Sequence, residues 1–184
     1  MENVKPSSTN LAFKWAIINV LTSIVITYAF QFLNIDQNSP ARYLAFIPFI
    51  VFLLMAQKEY RDQLGGFLTY GEGFMGGFLF SIFAGLLGAI FIYVYLTFLS
   101  PQVFEQSLAD AQTKMESKGL SSEQVDSAMA ITKKYGTLFG AIGAVIGSIF
   151  IGAIIALIGA AIFKKERSIL DIEQSSDNYT DPVV

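Results

Sequence analysis

The chain is 184 residues long, 53% hydrophobic and only 15% charged, with a mean hydropathy of +0.53. Typical soluble domains carry roughly 25% charged residues, so an ordinary soluble fold is excluded, and a net charge of −3 without a basic stripe excludes a nucleic-acid partner. The sequence has no cysteine and no histidine, which removes disulfides, thiol nucleophiles, the commonest metal ligand and the commonest general base.

Apolar runs dominate the chain, and about 20 such residues in a helix cross the roughly 30 Å of a bilayer core. The expected fold is all-α: an integral membrane four-helix bundle with spans at about 11–33, 41–56, 70–99 and 136–163. Residues 1–10 are polar and contain Pro6, as a frayed tail would. The run from Leu11 to Leu33 is too long for a cleaved signal peptide and ends in YAFQFLN rather than small residues. Trp15 belongs at interfacial depth and Lys14 can snorkel. Asn19 is an amide in the middle of this run, and a helix-to-helix hydrogen bond is its expected role.

The link NIDQNSP (34–40) is dense in turn formers. The second run, Ala41 to Ala56, is short; Arg42 and Lys58 bracket it, and Pro48 is expected to bend it by removing a backbone hydrogen bond. Gln57 to Asp62 reads as a solvated charged corner, broken by Gly65–Gly66. Thr69-Tyr70-Gly71-Glu72 has the spacing of a capping box, a hydroxyl at the N-cap and a carboxylate three residues on. That pattern assigns Glu72 to the first turn of the third span, where the helix dipole favours it, ahead of a proton relay.

The third span overshoots the bilayer or tilts, and places Tyr93 and Tyr95 in an aromatic belt at its far end. Ser100-Pro101 then reads as an N-cap and first-turn proline. Phe104, Leu108, Ala111 and Met115 form one apolar stripe, and Gly119 ends that helix. Ser121 to Gln124 is a second capping box, followed by Val125, Ala128 and Met129 on one face. Residues 101–134 are thus expected to form a helical hairpin outside the membrane, its stripes packing on each other, on the membrane surface or on a partner. The fourth span runs from Gly136 to Phe163 and is stopped by Lys164, Lys165 and Arg167. The remainder of 164–184 is acidic and polar, the composition of a disordered tail; it includes Asn178-Tyr179-Thr180, a glycosylation sequon in form.

Small residues recur every four positions on two spans: Gly73, Gly77, Ser81, Gly85 and Ala89 on the third, and Gly136, Gly140, Ala144, Ser148, Gly152, Ala156 and Ala160 on the fourth. Helices in lipid associate by close approach, which small residues permit. Antiparallel alignment sets Gly73 level with Ala160, Gly77 with Ala156, Ser81 with Gly152, Gly85 with Ser148, and Ala89 with Ala144. A homodimer seam is the competing use.

The run KEYRDQLGGFLTYGEGFMGGF resembles the signature of the bacterial membrane family called domain of unknown function 4199. The matching positions are Lys58, Tyr60, Arg61, Asp62, Gly65, Gly66, Phe74 and Gly77, with a second similar segment in KGLSSEQVDSAM (118–129). The resemblance spans residues 10–165. It implies four spans and a bacterial inner (plasma) membrane location, and it brings no activity and no catalytic residue.

With both termini cytoplasmic, seven basic residues (Lys5, Lys14, Lys58, Arg61, Lys164, Lys165, Arg167) lie inside and five (Arg42, Lys114, Lys118, Lys133, Lys134) outside, as the positive-inside rule prefers. No catalytic, cofactor-binding or metal-binding residue is assigned. The expected function is a non-enzymatic scaffold, assembly or regulatory module, partnered by the lipid bilayer and by a membrane protein or further copies of itself. The alternative is a protomer of a small oligomeric transporter or channel, suggested by Pro48, Asn19, Glu72 and the glycine-rich helices.

Overall fold

The computed structural model describes residues 6–35 and 39–166, with the side chain of Arg42 excepted. Arg167, the acidic tail, the sequon and most of the tail before Pro6 lie outside the described residues. The described chain forms five α-helices: α1 (Ser8–Phe32), α2 (Ile47–Gln63), α3 (Tyr70–Val94), α4 (Pro101–Ser117) and α5 (Ser122–Phe163). A 3-10 turn (Pro40–Phe46) leads into α2 and a π-helical turn (Tyr95–Leu99) extends α3. Among the described residues, four helices are long and apolar enough to cross a membrane. Large apolar side chains such as Val25, Ile90, Ile146 and Phe150 point outward, while alanine and glycine fill the inside, as expected where the solvent is lipid. This is a multi-pass integral membrane protein.

Local signals place the helix ends. Both capping boxes form: Thr69 Oγ1 accepts from the Glu72 amide while the Glu72 carboxylate accepts from the Thr69 amide, and Ser121 and Gln124 repeat the exchange. Helices α1, α2 and α4 each end in a Schellman pair of backbone bonds. At the end of α2, Gly66 N–H donates to Arg61 O and Gly65 N–H to Asp62 O. Gly65 and Gly66 take φ of 77° and 88°, the left-handed region that glycine enters at no steric cost.

Several expectations are corrected. Pro48 lies not in the middle of an α-helix but in the first turn of α2, directly after the 3-10 turn. The second span does not stop at Ala56, because the helix continues through the charged corner to Gln63. The second arm of the hairpin is not a separate helix, since α5 runs unbroken for 42 residues from Ser122 through the fourth span. Gly136 is tolerated inside it, with the Phe104 ring of α4 packed where a Cβ would point. Leu108 and Val125 are both buried where α4 meets the start of α5, so the two stripes pack on each other.

The core follows from the small-residue ladders. A Cβ added to Gly73 would lie 3.2 Å from the Ala160 Cα, and one on Gly77 would lie 2.8 Å from the Ala156 Cβ. A Cβ on Gly152 would overlap the Ser81 hydroxyl, and one on Gly85 the Ser148 hydroxyl. Four of the five expected depth pairs are therefore in contact, and the principal use of the ladders is the α3–α5 seam. Against it α1 and α2 pack Ala12, Ala16, Leu53 and Ala56 around Phe80 and Ala156.

Candidate functional site

Polar side chains inside an apolar bundle are the first place to seek function, because each must find a partner or cost free energy. Gln57 is completely buried where α2, α3 and α5 converge. Its Nε2 donates to the carbonyl oxygens of Gly73 (2.8 Å) and Ala156 (2.9 Å). The Gly159 backbone closes the other side: a Cβ there would overlap Gln57 Oε1, and that oxygen is buried without a hydrogen-bond partner. Ser81 Oγ donates back to Gly77 O (2.9 Å), and Ser148 Oγ to Val145 O (2.8 Å) and across the seam to Ser81 O (3.3 Å). Asn19 is buried in α1, but among the described residues its Oδ1 has no hydrogen-bond partner, so that oxygen does not make the expected helix-to-helix bond.

At the elbow end, the charged corner is only partly solvated. Glu59 accepts from Lys14 Nζ (2.6 Å), from the Trp15 indole N–H (2.7 Å) and from Gln63 Nε2 (3.2 Å), fastening α1 to α2. Lys14 is thus an ion-pair partner as well as a snorkelling chain. Arg61 lies beside Asp62 (3.4 Å) and over the Phe163 ring (5.5 Å). Beyond α5, Lys165 and Leu68 exchange both backbone hydrogen bonds at 2.9 Å, a single antiparallel bridge that clips the chain's exit to the elbow. A cleft of about 450 Å³ opens there between Leu64, Thr69, Glu72 and Lys165.

The hairpin end holds a larger cleft of about 750 Å³, walled by the last turns of α1, the end of α3 with its π-turn, and the start of α4. Tyr95 turns inward instead of joining a belt: it is buried, packs edge-on to Tyr28, and donates from its hydroxyl to Gln31 Oε1 (3.3 Å). Gln31 Nε2 in turn donates to Ser100 Oγ (3.4 Å). Ser100 therefore does not cap α4 with its side chain, although Pro101 opens that helix as expected. The π-turn closes on a bond from Ser100 N–H to Tyr95 O (2.7 Å), and such wide turns occur frequently at functional sites.

Sequence reasoning missed Gln57, Gln31 and Glu59. Only Gln57 left a trace, as the residue where an apolar run passes into a charged one. Among the described residues no cluster of three or more carboxylates could hold a metal ion.

The elbow that positions Gln57 and Gly73 lies inside a region that matches a known family. Residues 14–165 match the family described as protein of unknown function DUF4199. The chain belongs to this family. Neither a curated protein nor a solved structure matches it. Within this DUF4199 chain the matched region begins at Lys14, partner of Glu59, and ends at Lys165, partner of Leu68, so it covers the bundle apart from the first turns of α1 and includes both of these fastenings.

Proposed function

We propose that this DUF4199 protein is a non-enzymatic membrane module, a scaffold, assembly or regulatory subunit that engages a membrane partner or further copies of itself. The observation that carries this reading is the Gln57 node. The most deeply buried amide in the bundle spends both of its N–H groups on the backbones of two neighbouring helices, and the Ser148 hydroxyl reaches across the seam to Ser81 O. Interior polarity used to lock helices together suits a rigid support better than a conduction path, which needs polar groups presented to a cargo.

The basic residues support a bacterial inner-membrane orientation with both termini cytoplasmic. Lys14, Arg61 and Lys165 all gather at the elbow end, whereas Lys134 sits at the hairpin end beside Tyr135.

The second reading is a transporter protomer, favoured by the two orphaned oxygens, Asn19 Oδ1 and Gln57 Oε1. Purified protein in liposomes separates the two. The scaffold reading expects no ion or solute flux from folded protein and a defined partner, or a stable homo-oligomer, on affinity purification from native membranes. Flux that is lost in Asn19→Leu overturns it.

A further inference from the structure

The cleft at the hairpin end has a chemistry of its own. Its polar wall is made of amides and hydroxyls, and among the described residues no Asp, Glu, Lys or Arg lines it. Gln31 is already held by Tyr95 and Ser100. Asn34, Gln102 and Gln106 also face the cleft, and their side-chain amides make no hydrogen bond to the described residues. Asn34 is held there by a left-handed backbone (φ 51°) that closes α1. Each amide offers two donors and one acceptor oxygen. Phe30, Phe91, Ile92 and Leu96, from α1, α3 and its π-turn, supply apolar lining. The volume, about 750 Å³, lies within the range of about 300–1,000 Å³ common for small-molecule sites.

We infer that this cleft binds an uncharged polyhydroxyl group joined to an apolar body, the chemistry of a neutral glycolipid. Amides that pair donors with acceptors match the hydroxyls of a sugar, each of which both gives and takes a hydrogen bond. A phosphate or carboxylate would lose its water with no opposite charge to compensate. The apolar lining takes the acyl portion. This site goes beyond the scaffold reading and does not depend on it; a partner that fails to appear leaves the ligand test intact.

The test uses the full chain in phosphatidylcholine nanodiscs doped with equal mole fractions of monoglucosyl diacylglycerol and phosphatidylglycerol, with retained lipid counted by native mass spectrometry. The expected result is selective retention of the glucolipid. Gln102→Leu with Gln106→Leu should lower retention about tenfold, the equivalent of roughly one net hydrogen bond. Gln112→Leu, on the same helix but outside the cleft, should leave it unchanged. Should the double variant unfold, Gln106→Leu alone gives the same comparison at an exposed position. Excess free glucose identifies the source: displacement assigns the cleft to soluble sugar, persistence assigns it to lipid, and both uphold the polyhydroxyl chemistry. Retention of phosphatidylglycerol in equal amount, retention unchanged in the Gln102/Gln106 variant, or no glucolipid bound at all overturns the inference.

Discussion

The side-chain amide of Gln57 donates a 2.9 Å hydrogen bond to the main-chain carbonyl of Ala156, 99 residues further along the chain. The same nitrogen reaches Gly73 O on a third helix. Three helices thus meet at one side chain that has no access to solvent. Replacing it with leucine removes two hydrogen bonds but leaves no orphaned donor, so Gln57→Leu should cost about 1–2 kcal/mol. Gln57→Glu keeps the shape but sets a negative charge against two carbonyl oxygens, and should cost more, about 3–5 kcal/mol. Unfolding titrations in mixed micelles check the order; a glutamate variant as stable as the leucine variant contradicts the assignment.

The α3–α5 seam makes a sharper comparison within one helix. Gly152→Ala drives a methyl group into the Ser81 hydroxyl, whereas Gly140 and Gly147 have nothing within 4 Å of the corresponding position. Gly152→Ala should therefore destabilise by about 1–3 kcal/mol. Gly140→Ala and Gly147→Ala should be neutral or stabilise by up to about 1 kcal/mol through helix propensity. Adding Ser81→Gly to Gly152→Ala should restore part of the loss. The readout is thermal unfolding of the purified variants, and equal effects at all three glycines refute the seam.

Glu72 tests cap against charge. A glutamine side chain at this position preserves an acceptor for the Thr69 amide, so Glu72→Gln should keep nearly full stability. Thr69→Ala removes the reciprocal bond to the Glu72 amide and should cost about 0.5–2 kcal/mol. Helix content and melting temperature of the two variants decide it. A Glu72→Gln protein that folds fully but loses its cellular phenotype would require the charge itself.

Trp15 is the chain's sole tryptophan, and its indole N–H is bonded to Glu59, so its fluorescence reports on the α1–α2 fastening. Glu59→Ala frees both Lys14 and Trp15 and should increase acrylamide quenching of Trp15. The stability change should stay within about 1 kcal/mol, because Lys14 is half exposed and its ion pair is screened. Unchanged quenching would mean the contact is not formed in the membrane.

Orientation is read by labelling. Cysteines at Gln112 in α4 and at Gln63 in the last turn of α2 lie at opposite ends of the bundle. With the termini inside, an impermeant thiol reagent should modify the first and spare the second in intact spheroplasts. The reverse pattern inverts the protein.

Some of this protein is decided by residues close together in sequence. Apolar runs set four spans, Thr69–Glu72 and Ser121–Gln124 set two helix starts, and Gly65, Gly66 and Gly119 set two helix ends. Each of these caps and stops acts through bonds between residues no more than five apart. The depth pairing of Gly73 with Ala160 and of Gly77 with Ala156 was also legible, since the third span starts beside Gly73 and the fourth ends just after Ala160, which fixes the register of two antiparallel ladders. What tertiary structure alone decided lies where composition points one way and packing the other. Gln57 looks solvated beside Lys58 and Glu59, and becomes buried because carbonyls 16 and 99 residues away accept from it. Tyr95 looks interfacial, and turns inward because Gln31 on another helix meets its hydroxyl. Residues 122–134 look like the second arm of a separate hairpin, yet they are the first turns of α5, which runs on through Gly136 to Phe163. A residue's polarity states what it needs, and only the fold determines which distant group supplies it.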